Sequence, residues 1–392
     1  MTHADNEVAA AALRSTAAVR ERSGQLLARA RAGDSLWFEV HADALDAAAG
    51  AVADLTRSRY PDLAIPFHSR WRHFEAGGVD RVAGLAAGPQ AMIDLAVVSV
   101  LLDAGAGADW QYTEAASGQR FCRSEGLAVA SWHAFADGVF SSDPADPLRV
   151  DADGLRALTT ERLGAAFQVG DGNPLVGLDG RVELLHRLGD AVTADVFGGR
   201  PGGLFDTLTD SARTVHAHDI LALLLDTLSP IWLAGNVVGD VPLGDCWRHP
   251  AVTGDAATAG WVPFHKLSQW LTYSLLEPFD WAGVPVTGVH TLTGLPEYRN
   301  GGLLLDTGVL TLRDPGSAAR TWQVGDELIV EWRALTVALL DELAPRVCAR
   351  LGADLPLACV LEGGTWAAGR LLAGQRRGGL PPLTIASDGT VF

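Results

Sequence analysis

Glu297, Tyr298 and Arg299 set a carboxylate, a phenol and a guanidinium side by side. They lie inside Leu292-Thr293-Gly294-Leu295-Pro296-Glu297-Tyr298-Arg299-Asn300-Gly301-Gly302. Pro296 fixes its own φ and restricts Leu295. The glycine pair can take φ > 0 and let a ligand approach the backbone. The stretch therefore reads as a loop between helical patterns, and such loops carry chemistry when rigid elements hold them. A carboxylate there can stabilise positive charge developing in a substrate, or activate a water. The alternative is a surface-turn glutamate paired with Arg299.

Four further clusters could bind a ligand. In Phe264-His265-Lys266-Leu267-Ser268-Gln269-Trp270, Lys266 and Gln269 share a helical face at i and i+3. Lys266 is the one lysine in the chain, and it reads either as a ligand contact or as a snorkelling lysine on an amphipathic helix. Ser69-Arg70-Trp71-Arg72-His73-Phe74-Glu75-Ala76-Gly77-Gly78 interleaves arginines with aromatics. Arg70, Trp71, Arg72 and His73 can clamp a planar or phosphorylated ligand, or form an internal ion-pair network. Asp245 and Trp247 stand in Val241-Pro242-Leu243-Gly244-Asp245-Cys246-Trp247-Arg248-His249. Arg370 closes Glu362-Gly363-Gly364-Thr365-Trp366-Ala367-Ala368-Gly369-Arg370, and with Arg376 it could reach a phosphate. The end of the chain, Ser387-Asp388-Gly389-Thr390-Val391-Phe392, is expected to dock back onto the body.

Bulk properties narrow the function classes. Thirty Lys and Arg against 47 Asp and Glu give a net charge of −17, which repels nucleic acid. A small anionic ligand remains compatible, since a pocket needs only a few local cations. Cys122, Cys246, Cys348 and Cys359 form no C-x-x-C pair, which fits a reducing compartment and argues against a thiolate zinc site. No long apolar run suggests a membrane span, so a soluble cytoplasmic protein is expected. The chain has no P-loop, no G-x-G-x-x-G between strand and helix, no H-E-x-x-H and no G-x-S-x-G. His216 and His218 are two apart and His68 and His73 five apart, spacings that put no two imidazoles on one helical face. No metal or cofactor is expected.

The elements that must position these groups are mostly helical. Apolar periodicity predicts helices over 6–32, 42–58, 89–104, 124–140 with Ser124 as N-cap, 152–163 capped by Asp151, 177–196, 214–228, 257–276, 325–351 and 354–373. Pro345 should kink or interrupt the 325–351 helix. Strand signals are confined to Gly288–Leu292 and Leu303–Leu312, with a hairpin-like Asp306-Thr307-Gly308. The expected fold is mainly α and multi-helical, with a small β element near 288–312. The Gly/Pro cluster 198–203 divides an N-terminal helical region (1–197) from a C-terminal one (204–392) carrying the loop, the two packing as one compact unit.

In order along the chain, SRWRHFEAGG (69–78), GDGNPLVGLDGR (170–181), VPLGDCWRH (241–249), VPFHKLSQWLTYSLLEP (262–278), LTGLPEYRNGG (292–302), VEWRALTVALLDEL (330–343) and the EGGTWAAGR to SDGTVF end resemble the uracil catabolism protein 4 family of fungi and bacteria. A more distant similarity is to the queuosine salvage N-glycosylases, whose fold resembles helical DNA glycosylases. Their aromatic-x-Lys-x-x-Gln signature is comparable to Phe264 through Gln269, with one residue of latitude. Their Leu-Thr-x-x-x-Asp-Tyr-Arg is matched by Leu292-Thr293 to Glu297-Tyr298-Arg299, and Glu-x-Arg-Ala by Glu331-Trp332-Arg333-Ala334. Here the acid is Glu, one methylene longer than Asp, and Asn-Gly-Gly follows Arg299 where those proteins have a Val-Pro pair.

The resemblance implies a DNA-glycosylase-like body and an N-ribosidic bond hydrolase. Its place in non-reductive uracil breakdown implies ribosylurea, or its 5′-phosphate, as substrate and urea as product. Glu297 would stabilise the oxocarbenium ion and handle the attacking water. Tyr298 or a water would protonate the leaving urea. Lys266, Gln269, Arg299 and one of the cationic clusters would bind substrate, with Trp71 excluding water. Glu331 and Arg333 would form a supporting pair that positions the loop. Two other readings stay open: a non-catalytic nucleotide-binding regulator, and a ribose-phosphate transferase acting on uracil. The number of subunits is not readable.

Overall fold

The computed structural model describes residues 2–83, 85, 87–210, 213–386 and 389. The Ser387–Phe392 end expected to dock back lies outside these residues except for Gly389. The protein is mainly α, and every strand is two or three residues long among the described residues. Two compact units are each assembled from separated stretches of chain. The first comprises Met1–His68, Asn236–Gln269 and Gly288–Ala386; the second comprises Ser69–Gly235, Trp270–Thr287 and Ser387–Phe392. The Gly/Pro run 198–203 lies inside the second.

The first unit is built on the helix Glu327–Leu351. All thirteen positions from Leu328 through Leu340 are buried, the pattern of a helix covered on all sides. Pro345 stands exposed near its C-terminal end and does not end it, because packing on the buried faces outweighs one missing N–H bond. The helices Thr16–Arg31 and Ala44–Arg59 pack against it. Ser15 caps the former, its side chain accepting from the Ala18 N–H at 3.1 Å. Val19, Leu26, Val262, Phe264, Val330, Ala334 and Val337 form one core cluster there. In the second unit, Pro89–Leu101 packs against Arg123–Ala136 and Leu178–Ala191.

Several local expectations change. Val289–Thr291 is a 3-10 turn, and Leu303–Asp306 is the last turn of a helix, Tyr298–Asp306. Of the expected hairpin only Leu310–Leu312 is a strand, and it pairs antiparallel with Phe38–Val40. The run Leu303-Leu304-Leu305 is too short for periodicity to separate strand from buried helix. The 257–276 pattern is helical only from Lys266, since Trp261–Pro263 is a strand paired with Cys246–Arg248. Cys122, not Ser124, precedes the helix Arg123–Ala136, and Ser124 Oγ instead donates to Asp103 at 2.7 Å. Asp151 does cap, but its helix stops at Arg156 and Thr159 starts another. The 354–373 region contains a π turn, Leu361–Thr365, between Leu357–Val360 and Trp366–Arg377.

Candidate active site

Within the first unit, Glu297 is the N-cap of Tyr298–Asp306. Its Oε2 accepts the Arg299 N–H at 2.8 Å and its Oε1 the Asn300 N–H at 2.6 Å. The half-buried carboxylate is thus an anion fixed at the positive end of a helix. Each oxygen keeps a further lone pair for a ligand. Gly301 and Gly302 have helical backbone, so the expected φ > 0 is not their use. A Cβ at Gly301 would lie 2.7 Å from the Trp332 ring, and Trp332 Nε1 donates to Gly301 O at 3.2 Å. The glycine is there for close helix packing.

The loop before Glu297 is pinned by buried side chains. Gln269 Nε2 donates to Thr293 Oγ1 (2.6 Å) and Phe264 O (3.1 Å), and Gln269 Oε1 accepts the Thr293 N–H (2.9 Å). Asn300 Nδ2 donates to Leu295 O at 3.1 Å. Arg20, which the sequence did not single out, donates to the carbonyls of Thr291 (2.8 Å) and Leu292 (2.7 Å) and pairs with Asp341 at 2.8 Å. An open cleft of about 410 Å³ borders Arg20, His290 and Asp341, but Glu297 does not line it.

Asp245 anchors the turn that carries Lys266 and Gln269. It accepts two hydrogen bonds from Arg333 at 2.8 Å each, one from Trp247 Nε1 at 2.7 Å and one from the Lys266 N–H at 2.9 Å. Burial alone would raise the Asp245 carboxyl; the Arg333 charge and these donors hold it at about 2. Arg333 also lies over the Phe264 ring at 4.1 Å. The preceding His265 has φ 50°, a left-handed conformation uncommon for a non-glycine residue. Asp245, Trp247 and Arg333 are therefore engaged with one another and with the helix start, and Lys266 is half-buried.

Glu331 is enclosed on the same long helix. It accepts from Ser35 Oγ, and it meets His249 Nε2 at 3.2 Å and Arg29 at 3.5 Å. With Glu327 these residues bring one imidazole nitrogen and two carboxylates within 4.8 Å, a grouping that could hold a metal ion. The tautomer opposes that role. His249 Nδ1 accepts the Ala251 N–H at 3.2 Å, so in the neutral ring Nε2 carries the proton and donates to Glu331.

Arg299 leaves the carboxylate behind. Its guanidinium lies 4.5 Å from the Trp366 ring and 5.3 Å from the Tyr298 ring, and Arg370 is 5.6 Å from the same Trp366 ring. His68 faces Trp366 at 5.9 Å and bonds Glu362 at 2.8 Å. Arg59 and Tyr60 also donate to Glu362, at 3.0 and 3.1 Å. Burial would raise the Glu362 carboxyl, but His68 and Arg59 hold it at about 2. Glu362 lies in the π turn and Trp366 follows it directly, a feature common at functional sites that periodicity does not reveal.

Arg70, Trp71, Arg72 and His73 belong to the second unit. Arg70 is fully enclosed, bonded to Asp103 (2.9 Å), Ser99 Oγ (2.7 Å) and His73 Nδ1 (3.1 Å). Burial lowers its pKa, and the Asp103 charge opposes that shift. Trp71 Nε1 donates to Ser274 O at 2.7 Å, and Arg72 pairs with Glu277 at 2.8 Å. Of the two readings open for this stretch, the geometry is that of an internal ion-pair network.

A family model described as "Protein of unknown function (DUF1688)" matches residues 12–392. The chain is 44% identical over 350 residues to "Protein urg3" of Schizosaccharomyces pombe, covering 84% of each chain. It is 42% identical over 374 residues to "Uracil catabolism protein 4" of Lachancea kluyveri, covering 84% of this chain and 85% of the relative.

Proposed function

We propose that this chain, which belongs to the DUF1688 family, is an N-glycoside hydrolase of uracil catabolism that cleaves the ribose C1′–N bond of ribosylurea. The name of the Lachancea kluyveri relative supports the pathway. The observation that carries the chemistry is Glu297, a carboxylate fixed by two backbone N–H groups on a loop pinned by Gln269 and Arg20.

In the reaction the C1′–N electrons leave with nitrogen and an oxocarbenium ion develops at C1′. Glu297 stabilises that cation and takes a proton from the attacking water, whose oxygen bonds C1′. The departing nitrogen gains a proton from Tyr298 or solvent, giving ribose and urea. A preorganised anion needs no reorganisation as the cation forms, so electrostatics supply the main rate term. Gln269, Asp245 and Arg333 hold the turn and loop in register rather than touching the sugar.

The test is urea release from ribosylurea and from its 5′-phosphate by purified protein. Glu297→Gln should lower kcat/KM by about 10²-fold or more. Near-wild-type release by that variant, or no release by the wild type from either substrate, would end the hydrolase reading. Turnover that requires uracil or pyrophosphate would replace it with a ribosyl transferase.

A further inference from the structure

We infer that Arg299 is the centre of an anion-binding site, and that its ligand is a phosphate monoester on the ribose of the substrate. The choice of phosphate rests on the hydrolase reading; the anion site itself does not. Arg299 is 4% exposed. Its guanidinium makes no side-chain hydrogen bond or ion pair with any described residue. Three other buried arginines are matched by strong partners. Arg333 has Asp245; Arg70 has Asp103 and Ser99; Arg81 has Glu114 and three carbonyls. A buried cation without an anion is costly, and a fold retains one where a ligand supplies the missing charge.

The surroundings select the ligand's geometry. Trp366 and Tyr298 meet the guanidinium through their rings, which leaves its in-plane N–H fork for a bidentate acceptor. Arg370 adds a second cation beside the Trp366 ring. Glu297 does not neutralise Arg299, because both its oxygens point to backbone N–H groups. The backbone that carries the fork is held in place. A Cβ at Gly369 would sit 2.1 Å from Arg299 O, so the two helices meet backbone to backbone at this residue. Of the groups a ribosyl urea can carry, a phosphate ester is the one that is anionic. Arg299 lies two residues from the proposed catalytic acid, so a 5′-phosphate there would hold the sugar by its far end.

Isothermal titration of the wild type with ribose 5-phosphate, ribose and inorganic phosphate tests the site without turnover. Ribose 5-phosphate should bind about tenfold or more tighter than ribose. Arg299→Met should weaken ribose 5-phosphate about 10- to 100-fold and leave ribose unchanged. Arg299→Lys, which keeps the charge but not the fork, should fall between, and it carries the test if the methionine variant does not fold. Equal binding of ribose and ribose 5-phosphate by the wild type overturns the proposal. So does wild-type affinity for ribose 5-phosphate in the folded variants. The two readings fail separately. Phosphate-dependent binding without urea release from ribosylurea 5′-phosphate would sink the hydrolase and leave the anion site. Equal kcat/KM for ribosylurea and its 5′-phosphate would do the reverse.

Discussion

Glu297 has two possible employments, and one substitution separates them. As an N-cap it satisfies the N–H groups of Arg299 and Asn300. Replacing a good cap by alanine costs about 0.5–2 kcal/mol, which in a chain this long moves the melting temperature by about 2 °C per kcal/mol or less. Serine caps as well as any residue, through a hydroxyl that reaches the same N–H groups. Glu297→Ser should therefore melt close to the wild type, while Glu297→Ala melts slightly lower. Serine cannot supply an anion to the developing oxocarbenium ion. Loss of one preorganised electrostatic group costs roughly 2.7–4 kcal/mol in the transition state, so Glu297→Ser should lose about 10²- to 10³-fold in kcat with little change in KM. Differential scanning calorimetry and a urea-release assay on the same preparations supply both numbers. If Glu297→Ser turns over near the wild-type rate while Glu297→Ala loses stability and rate together, the carboxylate is a cap and nothing more. A non-catalytic regulator would then be the better reading.

Other consequences follow from the same geometry. Gln269→Ala removes three hydrogen bonds and leaves the buried Thr293 N–H unpaired; it should cost about 1–3 kcal/mol by denaturant titration and lower kcat, since the loop loses its register. Asp245 has its folded pKa depressed to about 2, so its contribution is full above the unfolded value of 3.8 and lost as pH falls toward 2. That contribution is about 2 kcal/mol, and unfolding free energy measured from pH 5 to 2.5 should fall less steeply in Asp245→Asn/Arg333→Met than in the wild type. Gly369→Ala presses a methyl group onto the Arg299 carbonyl and should destabilise by about 1–3 kcal/mol or more; a melting temperature equal to the wild type would show that the helix pair can slide apart.

The mainly α architecture was legible because long apolar periodicities such as 325–351 and 89–104 leave little choice. The Lys266–Gln269 turn and the acid-phenol-guanidinium run were legible from residue types. What could not be read was which partner each group would find. Arg20 reaches the loop carbonyls from 271 and 272 residues away in sequence, and His68 meets Glu362 across 294. The cationic stretch 69–78 had two readings until Asp103 and Glu277 supplied counter-charges. The glycine pair after Arg299 was misjudged for a related reason. A glycine needed for φ > 0 and a glycine needed for a neighbour's ring look alike, and Trp332 lies 31 residues further on. Short apolar runs such as Leu303-Leu304-Leu305 were ambiguous for want of length.

Sequence alone allowed Glu297 and Arg299 to neutralise each other, and the structure explains why they do not. Residues two apart on a helix point to different sides. Glu297 stands one step before the helix, so its oxygens turn back onto the backbone N–H groups. Arg299 is one step inside it, and the small residue Gly369 lets the Trp366–Arg377 helix come close enough to lay an indole against the guanidinium. An acid and a base adjacent in sequence are thereby kept from pairing, each committed to a neutral partner that leaves its charge uncancelled. A surface ion pair would have been simpler and worth little. Holding an uncancelled anion and an uncancelled, largely buried cation within one helical turn costs stability. That cost makes sense where a substrate brings the complementary charges: a cation developing at the sugar carbon, and an anion at the sugar's other end.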